Sequence, residues 1–160
     1  MNQTGTYVNI MKESLVRKKN YLQEILELTN KQGELALANE LDENAFGDIV
    51  EKKDILISNV NEIDKGFTAV YERVRREIIQ DKELYKDELK AIQDSIRKCV
   101  DLGMAIESAE LRNKAALETA FAKSYRGVKQ LKQSKQVANK YYKSMSNGMI
   151  NDSILYDRKK

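Results

Sequence analysis

Residues 46–74 read FGDIVEKKDILISNVNEIDKGFTAVYERV. Phe46, Ile49, Leu56, Val60, Ile63, Phe67, Val70 and Val74 recur at steps of three and four, and only Lys53 breaks the rhythm. That spacing lines one side of a 3.6-residue helix, so the stretch predicts a long amphipathic helix packed along its length. A start signal precedes it. Asp42 is suited to accept from the first free amides, and Leu41 and Phe46 are spaced to clamp the entering chain as a hydrophobic staple. The expected helix covers 43–79. Gly47 and Gly66 each cost it about 1 kcal/mol relative to Ala, which suggests positions of close helix approach.

The same rhythm flanks this helix on both sides. Upstream, Val8, Met11, Leu15, Leu22, Ile25 and Leu26 form a stripe interrupted by Lys18. It predicts a helix over about 5–38 with Thr4 or Thr6 at its cap. Downstream, Asp81 is the expected cap of a third helix. Tyr85, Leu89, Ile92, Ile96, Cys99, Gly103 and Ile106 step along it. The pattern weakens through Leu117, Ala120, Ser124, Val128 and Leu131, and ends at Ala138, Tyr142 and Met145. The expected span is 82–145. A stop follows at "SNG", residues 146–148, where Gly148 suits the left-handed position, and 146–160 form a tail.

The expectation is one all-α domain over 1–160, an elongated antiparallel three-helix bundle or coiled coil. At 1.5 Å per residue the first two helices span about 50–55 Å each, and an unbroken third spans roughly 95 Å. The third helix therefore either bends near Gly103 or Gly127, or overhangs the other two.

Composition agrees with this class. The 160 residues include no Pro and no Trp, and 33% are charged. Too few turn residues are present for an all-β domain, and the periodic apolar content is too high for a disordered chain. Histidine is absent, which removes the commonest general base and metal ligand. No glycine-rich phosphate loop occurs. Cys99 is single and falls in the apolar stripe, as a small core thiol does. The carboxylate pairs Asp42–Glu43 and Asp87–Glu88 fall on caps or helix surfaces. No catalysis, cofactor or metal is expected. There is no signal peptide and no apolar run of membrane-spanning length, so a cytoplasmic protein without membrane insertion is expected.

Charge is uneven. Net charge is +3 overall, −3 over residues 1–80 and +6 over 81–160. Between Glu118 and Asp152 there are seven bases and no acid. Lys123, Arg126, Lys129, Lys132 and Lys135 lie three apart, which winds them around a helix instead of lining one side. A nucleic-acid reader concentrates its bases on one face, so that reading is the alternative and not the expectation. A thin apolar seam with Tyr141 and Tyr142 beside it fits docking of a partner helix, or pairing with a second copy as a structural homodimer.

Four stretches together resemble the FlgN-type flagellar export chaperones. Residues 21–60, YLQEILELTNKQGELALANELDENAFGDIVEKKDILISNV, are similar to that family's first helix, corner and entry to the second, with Glu51–Lys52 before an aliphatic run. Residues 61–78, NEIDKGFTAVYERVRREI, are similar to the second helix. Residues 106–125, IESAELRNKAALETAFAKSY, resemble the third-helix signature through Glu110, Asn113 and Leu117. Residues 138–145, ANKYYKSM, with LYDRKK at 155–160, resemble clostridial C-termini. The resemblance implies a non-enzymatic protein that binds the terminal helices of hook–filament junction proteins and hands them to the export gate. It also implies a partner-binding seam of Leu117, Phe121, Val128 and Leu131, with Tyr141 or Tyr142 as the gate contact, and the apolar stripe adds Met145 to the candidate partner-binding residues.

Overall fold

A computed structural model describes residues 3–122. They form three helices and no strand: α1 (Gln3–Leu37), α2 (Glu43–Gln80) and α3 (Lys86–Ala122). None of the three is long and apolar enough to cross a membrane. The continuation of the third helix to 145 and the tail at 146–160 lie outside the described residues.

The direction of each helix follows from its cross-links. Lys18 of α1 meets Asp64 of α2, and further along α1 Gln32 meets Lys53, so α1 and α2 run antiparallel. Cys99 of α3 reaches the Leu15 carbonyl and Asn113 reaches the Thr29 carbonyl, so α1 and α3 run parallel. The bundle is up-down-up, as the five-residue links 38–42 and 81–85 require of sequential neighbours.

The three helices are not equivalent. α1 packs closely on both others, whereas the α2 and α3 backbones come no nearer than 8 Å, Cα to Cα. Long side chains bridge that side. Phe67 and Tyr71 of α2 join Ile92 and Ile96 of α3 in one apolar cluster. The close α1–α3 pairing has a visible cause at Gly33: a Cβ there would stand 2.6 Å from Asn113 Oδ1. Glycine at 33 lets Asn113 donate to the Thr29 carbonyl at 2.6 Å. The expected close approaches at Gly47 and Gly66 do not occur, because nothing lies within 4 Å of an added Cβ at either position.

Asp42 caps α2 as expected, accepting from the Ala45 amide at 3.0 Å. Leu41 and Phe46 pack together on one small apolar cluster, as a staple does. Asp81 does not cap α3. It closes α2 instead, donating its amide to the Glu77 carbonyl, and its own carbonyl accepts from Leu84 and Tyr85. This turn lets Tyr85 bury its ring before α3 begins at Lys86. Asp87 and Glu88 then occupy the first turn of α3, where the free amides favour negative charge. Thr4 and Thr6 lie inside α1 and are not its cap.

Three apolar clusters fill the interior in sequence along the axis. The first joins Val8, Met11 and Leu15 to Phe67, Tyr71, Val74 and Ile78, and to Ile92 and Ile96. The second holds Leu22, Ile25, Ile57, Val60, Cys99 and Ile106. The third is small: Ala36, Leu117 and Phe121, with Leu41, Phe46 and Ala116 against them. The buried row of α2 runs through Ile57 and Tyr71, not through Leu56 and Val70, which are half-buried. Steps of four from Ile49 to Lys53 to Ile57 shift the row by one position. The two lysines that interrupt the sequence stripes stand between the clusters.

Candidate partner-binding surface

Of the seven residues expected to touch a partner, Leu117 and Phe121 lie among the described residues. Val128, Leu131, Tyr141, Tyr142 and Met145 lie outside them. Leu117 is 9% exposed and Phe121 is 5% exposed. Both face Ala36 and the α1–α2 corner, where Leu41 and Phe46 cover them. They are interior residues of the bundle end. Periodicity identified them as apolar. It carries no information on which neighbour covers an apolar side chain.

One turn and two turns before Leu117 stand Asn113 and Glu110, the other members of the signature. They belong to a buried polar layer between the second and third apolar clusters. Lys53 of α2 is ion-paired with Glu110 of α3 and donates to Gln32 Oε1 of α1 at 2.6 Å. The Thr29 hydroxyl of α1 lies 3.1 Å from Glu110 Oε1 and 2.7 Å from the Ile25 carbonyl. Thr29, Gln32, Lys53 and Glu110 are all buried. Burial pulls the Lys53 ammonium below its ordinary value, and the Glu110 charge and hydrogen bond oppose that pull. Stripping water from a cation disfavours the charged form, and a paired carboxylate restores part of the loss.

A second buried ion pair lies between the first and second clusters. Lys18 of α1 donates to Asp64 Oδ1 of α2 at 2.6 Å, and Lys18 is 2% exposed. The bundle thus alternates apolar, ionic, apolar, ionic and apolar layers. Its polar layers set axial register. Sliding α2 by one turn would bury these charges apart from their partners, at a cost of about 3–5 kcal/mol per broken pair. Glu51 and Lys52, the pair singled out in the resemblance, are exposed. The buried member of that stretch is their neighbour Lys53.

Sequence reasoning read Lys18 and Lys53 as interruptions and missed both layers. It also attributed the weakening of the third stripe after Ile106 to loss of pattern. Ala109, Glu110 and Asn113 occupy the inward positions there, so the pattern continues with polar members. A second feature went unread. On the outer side of α3, Met104 is 55% and Leu111 is 59% exposed. The exposed outward positions Met104, Ser108, Leu111, Ala115, Thr119 and Ala122 hold no charge.

No protein-family model, curated protein or solved structure matches this chain.

Proposed function

We propose that the protein is a non-enzymatic, cytoplasmic export chaperone of the FlgN type, which holds an amphipathic terminal helix of a hook–filament junction protein and delivers it to the flagellar type III export gate. One observation carries this reading. The α1–α2 corner stands level with Leu117 and Phe121, through Ala36, Leu41 and Phe46. The corner therefore covers α3 as far as Phe121, and apolar positions continue in the sequence at Val128, Leu131, Tyr142 and Met145. Those positions form the docking seam. Leu117 and Phe121 anchor its base inside the bundle. Tyr141 or Tyr142 makes the gate contact.

The seam suits this task physically. A helix laid in a narrow apolar groove binds through i, i+3, i+4 and i+7 anchors. Ordering the segment on binding lowers net affinity, which suits a carrier that must release its load. The acid-free surroundings keep the seam soluble between loads.

The test replaces Val128 and Leu131 with Asp in the full chain and titrates it with the C-terminal segment of a hook–filament junction protein. Binding should fall at least tenfold while the helical circular dichroism of residues 3–122 persists. Undiminished binding would sink the seam assignment. Absence of binding by the unaltered chain would sink the reading altogether.

A further inference from the structure

The described residues are polarised in charge along the bundle axis. In the corner half, residues 21–62 and 100–122, thirteen acidic and four basic side chains are not buried. In the opposite half, residues 3–20 and 63–99, eight acidic and twelve basic side chains are not buried. The surface of the corner half therefore carries net −9, and that of the opposite half +4.

The acidic half also holds a groove. The α2 and α3 backbones stay more than 8 Å apart, Cα to Cα, above the buried Lys53–Glu110 pair. On α2, Phe46 packs with Leu117 and Phe121 and so marks the side that faces α3. Glu43, Val50, Asp54 and Asn61 fall within about 80° of Phe46 on a 3.6-residue helix, and none is buried. On α3, Asn113 reaches α1, while Ile96 clusters with Phe67 and Tyr71 of α2. Val100, Met104, Glu107, Leu111, Lys114 and Glu118 lie within about 80° of Ile96 and about 100–180° from Asn113, and none is buried. The Lys53–Glu110 pair sets the level of these antiparallel helices, so Val50 stands near the level of Leu111, and Asn61 near that of Val100 and Met104.

The two rims combine apolar and acidic groups. Val50 and Val100 are half-buried, whereas Met104 is 55% and Leu111 is 59% exposed. Glu43, Asp54, Glu107 and Glu118 stand beside them against the single base Lys114.

Shape and charge identify the occupant. From Glu43 to Asn61 the rim runs about 27 Å, the length of a helix of about 18 residues. A helix in such a groove presents apolar anchors at i, i+3, i+4 and i+7. Its flanks meet four carboxylates and one ammonium, which favours lysine and arginine there and disfavours acids. A second copy of the chain is a poorer match. Its corner half repels this one, and its opposite half brings eight acids along with twelve bases.

We infer that the α2–α3 groove docks a basic amphipathic helix of a partner protein. Its apolar side chains rest on Val50, Val100, Met104 and Leu111, and its lysines or arginines reach Glu43, Asp54, Glu107 and Glu118. None of these eight residues belongs to the proposed cargo seam, so the inference stands whether or not that reading is correct.

The test titrates the full chain with a helical peptide of about 18 residues, leucine at i, i+3, i+4 and i+7 spacing and lysine elsewhere. Its counterpart keeps the leucines and replaces every lysine with glutamate. The lysine peptide should bind at least tenfold more tightly. Leu111→Ser, which retains every charge, should weaken that binding at least tenfold. Leu37→Ser changes an exposed leucine of the acidic half outside the groove and should leave binding unchanged. In the unaltered chain, the methyl resonances of Val50, Val100, Met104 and Leu111 should shift on titration while those of Val16 and Leu37 stay in place. Absence of binding, equal binding of the two peptides, or shifts confined to other methyls overturns the proposal. Binding that Leu111→Ser leaves intact is diffuse charge attraction and overturns it too. A dimer of the chain alone that Leu111→Ser dissociates would assign the groove to a second copy instead of a partner helix.

Discussion

The two ionic layers of this bundle bury a lysine to nearly the same depth and surround it differently. Lys18 is joined to Asp64 and ties α1 to α2. Lys53 meets Glu110 and Gln32 in a layer that Thr29 completes, and this layer joins all three helices. The reason lies in the spacing of the backbones. α2 and α3 do not approach closely, so only a long side chain can link them. A lysine reaching a glutamate has that length. The Lys18–Asp64 bond joins α1 to α2, while the second layer stands in for the close backbone approach that α2 and α3 lack.

This contrast predicts an order of damage. Glu110→Ala should be the most destructive single change, because it strands Lys53 and removes an acceptor from Thr29. A loss of about 3–5 kcal/mol is expected in urea unfolding. Lys53→Met combined with Glu110→Leu should recover most of that loss, since an apolar pair of similar volume removes both buried charges. If the double variant is no better than Glu110→Ala alone, the layer is not the source of the cost. Asp64→Ala should cost about 3 kcal/mol, at the low end for a buried pair, because the Lys18–Asp64 bond joins two helices. A loss larger than that of Glu110→Ala would reverse the ranking.

Gly33→Ala should cost about 1–2 kcal/mol by pushing Asn113 off the Thr29 carbonyl. In an Asn113→Ala background the same change should be nearly neutral, and additive losses in the double variant would contradict the contact. The smallest effect concerns pH. Burial lowers the Lys53 value in the folded chain, so the unfolded chain binds more protons in the range between the folded value and the ordinary one near 10.4. Lys53 therefore penalises the fold below that window, and the penalty lifts as pH rises through it. Lys53→Met should remove the rise of stability with pH just below the ordinary lysine value, measured by denaturant midpoint.

Much of the scaffold is legible in the sequence for a physical reason. Apolar period, the Asp42 cap and the Leu41–Phe46 staple are local signals, and α2 spans Glu43–Gln80 against an expected 43–79. The misreadings concern residues whose partners are far away in the chain. Lys18 pairs across 46 positions, Lys53 across 57, and Asn113 across 84. A lysine in an apolar row looks like a break until its anion is placed. Asp81 was misassigned because aspartate suits either end of a helix, and no Gly or Pro fixed the boundary. Leu117 and Phe121 were correctly read as apolar positions, but their cover depends on where the α1–α2 corner falls.

The separation of Lys53 from Glu110 also has a consequence during synthesis. Lys53 is made 57 residues before Glu110, which at about 5–20 residues per second is a delay of roughly 3–11 s. Until Glu110 is made, the α1–α2 pair lacks the carboxylate that Lys53 meets in the finished bundle, and the apolar face that α3 covers is open. The charge discourages the nascent face from settling against a wrong apolar neighbour, and the arrival of Glu110 removes the deterrent as the correct helix emerges.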